Sequence, residues 1–328
     1  METRSGTKGV SGMKTMIAVA LAICAVMSGY ACDSAAQSTT VAARTTIDTT
    51  RLMADLRALS ADSMEGRRTG TAGGERARRY LDRAFRSTGL APVGSGFRHR
   101  FGDDADASAG GVNFIGRIAG RDTSRVIVLS AHYDHLGIRN GQTYNGADDN
   151  ASGTAALLEI ARHYARVRPA HTILFVAFDA EEQGLRGARA FVAEPPVRRD
   201  AIAIDINLDM VSRNGRGELW VAGTRHYPFL RPFVEKLAAT APVTLRIGHD
   251  SPGTGSDDWT DASDHGPFHE AKIPFLYFGV EDHPDYHRPT DDADRIEPRF
   301  YGHAVETILA ALDGIDRDLD RLIPRPAS

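Results

Sequence analysis

Four predominantly apolar runs lie between the middle of the chain and its carboxyl-terminal part. They cover residues 126–129, 172–178, 201–208 and 273–278. Runs of this length that are rich in Val, Ile, Leu and Phe are typical of strands buried on both faces of a largely parallel sheet. Apolar positions with the three- and four-residue spacing of helices fall at residues 50–59, 74–88, 154–165 and 301–319. The pattern predicts an α/β fold, a three-layer α/β/α sandwich around a mixed, mostly parallel sheet.

Polar residues that can bind a metal ion follow the first apolar run. This run leads to His132, and Asp134 follows two residues later. If the chain stays extended, both side chains lie on the same side, so the Asp134 carboxylate could accept the second N–H of the imidazole. Ligands of open α/β sheets bind at the carboxyl ends of strands. Taken alone, however, this pair is more often a strand-end histidine beside a solvated acid.

Two pairs of adjacent acids lie at the ends of other predicted elements. Asp148 and Asp149 precede a predicted helix, where capping explains one acid better than two. Glu181 and Glu182 follow a predicted strand, where burying two neighbouring carboxylates is costly. A divalent cation would remove that cost, because one glutamate can ligate it while the other acts as a base. The alternative is that both are solvated acids opening the next helix.

Asp209 and His287 extend this set of potential ligands. Asp209 closes the run at 201–208, and His287 follows the run at 273–278 after a polar loop. Mixed imidazole and carboxylate ligands favour zinc, with manganese or cobalt as substitutes. Together, the alternating histidines and carboxylates at the ends of separate predicted strands indicate a two-metal hydrolase, and most specifically a metallopeptidase.

The motifs that contain these residues resemble those of the di-zinc aminopeptidase family. That family includes the bacterial leucyl aminopeptidases, and glutamate carboxypeptidases and glutaminyl cyclases are its relatives. The matching stretches are residues 130–135, 146–153, 180–185, 207–210 and 285–291. The resemblance implies a fold of the zinc-dependent exopeptidase type, two bound zinc ions and peptide substrates.

The resemblance also implies a distribution of the metal ligands. Asp149 would bridge the two ions. His132 and Asp209 would complete one site, and Glu182 and His287 would complete the other.

Catalytic and supporting roles follow from the same resemblance. Glu181 would be the general base and later the general acid, and Asp134 would support His132. The peptide between Asp149 and Asn150 would be cis. His265 would have a structural or substrate-side role rather than that of a ligand. Further histidines have no ligand position in the family pattern and are interpreted as polar or loop residues: His135, His249, His269 and His283.

The implied activity is removal of the amino-terminal residue from peptides. Residues 257–262 lack a tyrosine that assists the oxyanion in some members of the family. No arginine-rich pocket of a glutamate carboxypeptidase is evident, although Arg213 and Arg288 keep a carboxypeptidase open. A glutaminyl cyclase and a non-catalytic peptide-binding protein on the same fold stay open as well, both ranking below the aminopeptidase.

Composition agrees with a globular enzyme. The chain has 328 residues, 42% of them hydrophobic, and a net charge of −4, so it can bury a large core. Its many arginines alternate with acids along predicted helices and form no basic tract, which argues against a nucleic-acid partner.

The amino terminus predicts export to the periplasm or the cell exterior. Lysines precede a short apolar stretch at residues 16–27, which small residues follow. Cys32 could carry a lipid anchor, which would be the protein's membrane attachment. The predicted organisation is an export signal at 1–34, a flexible tether at 35–46 and one peptidase domain at 47–328, with a helical lobe at 47–110 and a catalytic core at 111–328.

Overall fold

A nine-stranded mixed sheet forms the centre of the fold in the computed structural model, which describes residues 47–102 and 110–325. Its strands are β1 (Ala91–Pro92), β2 (Arg98–Phe101), β3 (Gly111–Ile118), β4 (Asp122–His132), β7 (His171–Phe178), β8 (Ile202–Leu208), β9 (Glu218–Ala222), β10 (Thr244–Ile247) and β11 (Phe275–Gly279). A separate hairpin consists of β5 (Gly137–Arg139) and β6 (Gln142–Tyr144). The predicted export signal and tether lie outside the described residues.

The middle of the sheet is parallel. Strands β7, β4, β8 and β11 lie side by side in that order, each parallel to its neighbour. Antiparallel pairs lie at the flanks, where β3 meets β7 and β9 meets β11. Register brings the carboxyl ends of the parallel strands to one edge, since Ser130 pairs with both Val176 and Asn207. The arrangement confirms the predicted α/β fold with a mixed sheet.

Helices cover both faces of the sheet. They are α1 (Thr49–Leu59), α2 (Ala72–Ser87), α3 (Gly153–Tyr164), α4 (Arg186–Ala193), α5 (Arg231–Ala238), α6 (His265–Glu270) and α7 (Pro298–Leu322). Alternate residues of a strand face opposite sides. In β4, Ile127 and Leu129 belong to a hydrophobic cluster that includes residues of α1, α2, α3, α5 and α7, whereas Val126 and Val128 belong to a second cluster with residues of α4 and α6. The predicted three layers are confirmed.

The four helices predicted from periodicity lie within three residues of their predicted ends. The remaining elements were not predicted, and all of them span eight residues or fewer, a length that carries little periodicity: β1, β2, β3, β5, β6, β9, β10, α4, α5 and α6. Residues 47–110 supply α1 and α2 and also two short strands that pair with β3. Within the described ranges, no helix is long and apolar enough to cross a bilayer.

Candidate metal centre

The edge formed by the carboxyl ends of the central strands carries a cleft of about 260 Å³. The ends of β4, β7 and β8, the turn Ala147–Ser152 before α3 and the loop after β11 all reach it. Six residues that the sequence analysis singled out line the cleft: His132, Asp149, Glu181, Glu182, Asp209 and His287. The structure therefore brings together groups that are up to 155 residues apart in the chain.

The first cluster of donor atoms consists of His132, Glu181 and Asp209. The Nε2 atom of His132 lies 3.2 Å from Oδ1 of Asp209 and 4.0 Å from Oε2 of Glu181. It also lies 3.4 Å from Oδ1 of Asp149. These atoms are close enough together to surround one cation.

The second cluster consists of His135, Asp149 and Glu182, with His287 beside them. The Nε2 atom of His287 lies 3.1 Å from Oδ2 of Asp149 and 3.4 Å from Oε1 of Glu182. Asp149 thus presents Oδ1 to the first cluster and Oδ2 to the second. This is the position that a bridging ligand requires, and the role itself stays a prediction.

His135 differs from its interpretation as a polar or loop residue outside the site. Its side chain is fully buried within the second cluster, with Nδ1 2.7 Å from Oε1 of Glu182 and 3.6 Å from Oδ2 of Asp149. The signal in the sequence is a second histidine three positions after His132. The family pattern assigns that histidine no role, so the motif comparison passes over it.

Asp134 lies beneath the cleft and is fully buried. Its carboxylate is not the nearer acceptor for His132, whose Nδ1 is 3.2 Å from the Asp134 carbonyl oxygen and 3.8 Å from Oδ1. The carboxylate instead accepts the backbone N–H of Glu181 at 3.0 Å. Asp134 therefore contacts His132 through its backbone and Glu181 through its side chain.

Asp148 and Asp149 are adjacent but have different surroundings. Asp148 accepts hydrogen bonds from the backbone and hydroxyl of Ser212, and its second oxygen lies 3.1 Å from Nε2 of His283. The carboxylate of Asp291 accepts the backbone N–H groups of both acids. Of the pair, only Asp149 reaches the clusters, and the peptide that follows it is cis.

Arg67 supports the site from below and was not identified from the sequence. Its guanidinium is completely buried and donates to the carbonyl oxygens of Leu59, Tyr133, Asn145 and Gly146. These contacts fix the start of the loop that carries Asp149. The Gly-Arg-Arg-Thr-Gly stretch at residues 66–70 was the available signal, and burial of one of its arginines depends on tertiary contacts.

Two further residues border the first cluster. His265 is buried, and its Nε2–H donates to the carbonyl of Trp259 at 2.7 Å. Burial lowers the pKa of His265 to about 3, so the ring is neutral and its contact is structural. Asp264, which the sequence analysis did not single out, is also buried, and neither of its carboxylate oxygens has a hydrogen-bond partner among the described residues.

The electrostatics of the cleft fit a divalent cation. Burial raises the pKa of Glu181 well above its usual range, and nearby Asp264 and Asp209 raise it further. Burial alone would lower the pKa of His287, but the carboxylates of Asp149 and Glu182 raise it to about 10. Among the described residues, the ion-pair partners of the cleft's clustered carboxylates are histidines. A cation would compensate this concentration of buried acid.

Comparison with known proteins agrees with the resemblance drawn from the motifs. The sequence profile described as Peptidase family M28 matches residues 113–312. Aminopeptidase YwaD of Bacillus subtilis is 33% identical over 201 residues, which are 57% of this chain and 40% of that protein. A probable zinc metalloprotease of Pyrenophora tritici-repentis is 31% identical over 221 residues, 56% of this chain and 49% of that protein. The chain therefore spans less than half the length of either relative.

Solved structures share the fold. An aminopeptidase from Aneurinibacillus sp. strain AM-1 superposes with a TM-score of 0.65 at 17% identity, covering 81% of this chain and 93% of that chain. The glutaminyl cyclase of Porphyromonas gingivalis superposes with a TM-score of 0.67 at 20% identity, covering 81% and 98%. At these identities, the likeness shows the fold alone.

Proposed function

The chain belongs to peptidase family M28, and from this premise we propose that it is an exported zinc aminopeptidase. Its substrates would be peptides with a free amino terminus, from which it hydrolyses the first peptide bond. The names of its relatives, which include an aminopeptidase and zinc metalloproteases, support the metallopeptidase class. The restriction to amino termini depends on the cleft itself.

The charge of the cleft is the observation that carries the restriction. Its lining contains five carboxylates and no arginine or lysine among the described residues. One of these, Asp282, is exposed and lies outside both clusters. Because bound zinc would neutralise the clustered carboxylates, Asp282 is the group left to attract a substrate ammonium, whereas a terminal carboxylate would find no arginine or lysine among the described lining residues. Trp259, Tyr277 and Tyr286 add aromatic walls for a side chain.

The residues present fit two zinc ions. His132, Asp209 and Asp149 would hold the first, and Asp149, Glu182 and His287 the second. Two such ions, when bound, stabilise the negative charge that develops on the scissile carbonyl and make the attacking water more acidic. The buried Oε1 of Glu182, which has no hydrogen-bond partner among the residues described, supports this assignment.

Glu181 is proposed to move the proton. Its backbone N–H is fixed by Asp134, and its Oε2 faces His132 across 4.0 Å. Burial raises the pKa of Glu181, which favours its taking a proton from water, and the same carboxyl would then give that proton to the leaving amine. Asp134 acts here as a positioning residue, because it touches Glu181 and His132 and does not line the cleft.

Export is supported by the lysines and the apolar stretch at residues 16–27. Fractionation of producing cells tests it. A mature protein in the periplasm or medium is expected, and a cytoplasmic full-length protein would contradict export. Lipid labelling that disappears in Cys32→Ser would establish the anchor.

The activity is tested with aminoacyl chromogenic amides, amino-blocked peptides, carboxypeptidase substrates and amino-terminal glutaminyl peptides. Cleavage restricted to substrates with a free amino group, lost with chelator and restored by zinc, is expected. Hydrolysis of carboxyl-terminal or blocked substrates would keep the metal chemistry and contradict the aminopeptidase. Cyclisation of glutaminyl peptides would indicate a cyclase.

Glu181→Gln separates catalysis from metal binding. The variant should keep its zinc and lose about 10²- to 10⁴-fold in kcat. Glu270→Gln is a suitable control, because Glu270 is exposed and pairs with Arg189 on the surface. Loss of zinc in Glu181→Gln would instead identify this residue as a ligand.

A further inference from the structure

His135 is a completely buried histidine for which the proposed mechanism has no use. Both of its ring nitrogens are shielded from solvent, and neither has a hydrogen-bond partner among the residues that the structure describes. A buried polar group left without a partner destabilises the fold, because it has lost its hydrogen bonds to water. The position is nevertheless fixed, because a Cβ at Gly146 would lie 2.5 Å from the imidazole ring.

The closest contact of His135 is not a hydrogen bond. Its Nδ1 atom lies 2.7 Å from Oε1 of Glu182, yet both atoms lack a hydrogen-bond partner because their directions do not align. Two donor atoms at this separation, neither aimed at the other, are expected when both point at a common ion. Ligands on adjacent positions of a zinc site likewise point at the ion rather than at each other.

Two further donor atoms lie near this pair, on Asp149 and His287. Oδ2 of Asp149 lies 3.6 Å from Nδ1 of His135 and 3.1 Å from Nε2 of His287. Oε1 of Glu182 lies 3.4 Å from the same His287 atom. A tetrahedron of ligands with bonds of about 2.0–2.1 Å has edges of about 3.3–3.4 Å. These three separations lie within about 0.3 Å of this value, whereas the 2.7 Å between His135 and Glu182 is shorter, so the two atoms would move apart around a bound ion.

We propose that His135 is a ligand of the second zinc ion through Nδ1. The second site then has four protein ligands, namely His135, Asp149, Glu182 and His287. The first site keeps three, His132, Asp149 and Asp209. Structural zinc sites have four protein ligands and catalytic sites keep a position open. The second ion is therefore the more tightly held, and a chelator should remove the first ion before it. This inference rests on the proposed zinc centre.

The test is a bond-specific measurement on the wild-type protein. The protein is loaded with cadmium-113 in place of zinc and carries nitrogen-15 in its histidines. Scalar coupling between a cadmium nucleus and an imidazole nitrogen requires a coordinate bond. We expect one cadmium resonance coupled to one imidazole nitrogen and the other coupled to two, one of them Nδ1 of His135.

His135→Asn provides the second measurement. Affinity for one of the two zinc ions, measured by chelator competition, should fall by more than about 100-fold, beyond the 10–100-fold range of a lost supporting hydrogen bond. Affinity for the other ion should stay unchanged. His283→Asn is the matched control, since His283 lies beside the site and pairs with Asp148, which reaches neither cluster. It should keep both ions. Thermal unfolding of the metal-free proteins checks that each variant folds.

The outcomes separate this inference from the proposed function. Two cadmium resonances with one coupled imidazole each, and near wild-type zinc affinity in His135→Asn, would overturn the assignment of His135 while leaving a two-metal peptidase. A protein that binds no cadmium or zinc would overturn both.

Discussion

The two clusters of the metal centre are built in different ways. In the first, His132 is the last residue of β4 and Asp209 directly follows β8, so the hydrogen bonds of the sheet set their separation. In the second, His135 and His287 lie in loops, and His287 is 38% exposed with a φ of 53°. Strand ends position ligands through the sheet, whereas loop-borne ligands depend on dedicated buried contacts.

Those contacts can be identified. Arg67 ties the carbonyls of Asn145 and Gly146 to that of Tyr133, and thereby joins the loop before Asp149 to the segment that carries His135. Asp291 holds the turn with its carboxylate and lies four residues after His287. The loop-borne cluster should therefore respond to substitutions that leave the strand-borne cluster intact.

The largest effect is expected for Asp149→Ala, because Asp149 is the residue that the two clusters share. Both ions should be lost, and kcat should fall by more than about 10³-fold. Metal analysis after gel filtration and steady-state kinetics measure this. Asp148→Asn is the matched control, since the neighbouring acid does not reach either cluster, and it should retain both ions. An Asp149→Ala protein that still holds two ions would remove the bridging role.

Asp209→Asn removes a ligand from the first cluster, and Glu182→Gln removes one from the second. Each variant should lose one of about two zinc ions. The weakened site of Asp209→Asn should need a higher zinc concentration for occupancy than that of Glu182→Gln, because only two protein ligands remain there. In Glu182→Gln, three protein ligands remain at the second site if His135 is a ligand. Zinc titration of both variants measures the difference. If both variants lost zinc affinity equally, the second site would not be distinguished from the first by a fourth protein ligand.

Arg67→Met should destabilise the fold and the loop-borne cluster. It leaves buried carbonyls without donors, and we expect a loss of about 3–5 kcal/mol in the free energy of unfolding. The affinity for the second ion should fall by more than the affinity for the first. Urea denaturation and zinc titration measure these effects, with Arg68→Met as the control, because the adjacent Arg68 is exposed. An equal loss of affinity for both ions would indicate that Arg67 does not support the second cluster selectively.

The smallest effect is expected for Asp205→Asn in β8, away from both clusters. Burial raises the pKa of Asp205 to about 8, while Ser130 donates to it and opposes the shift. The native state thus holds a proton that the unfolded state releases near pH 4, so stability falls as pH rises from about 4 to 8. Asparagine mimics the protonated acid and should be more stable by about 1–2 kcal/mol at pH 7. Urea midpoints of the metal-free proteins at pH 5 and pH 8 measure this, and equal pH dependence of both proteins would contradict it.

Candidate ligands at strand ends could be predicted from the sequence, whereas those in loops could be predicted only incompletely. His132 and Asp209 were predicted because an apolar run followed by a ligand marks the end of a strand. The placement of Glu182 and His287 depended on a family resemblance. His135 was interpreted as outside the site, since nothing local to the sequence says which way its ring turns after β4 ends. Arg67 and Asp264 were missed because they owe their burial to segments distant in the chain.

Local patterns along the chain were enough to predict the α/β class, the positions of the four central strands and of the four longest helices, and the residue types of a metal centre. Periodicity and residue chemistry are local properties, so they are readable along the chain. Three features became visible only in the folded chain: Asp149 faces both clusters, Asp134 uses its carbonyl towards His132, and a second histidine is buried against Glu182. These depend on loop conformation and on which distant groups exclude water, and no local pattern encodes either.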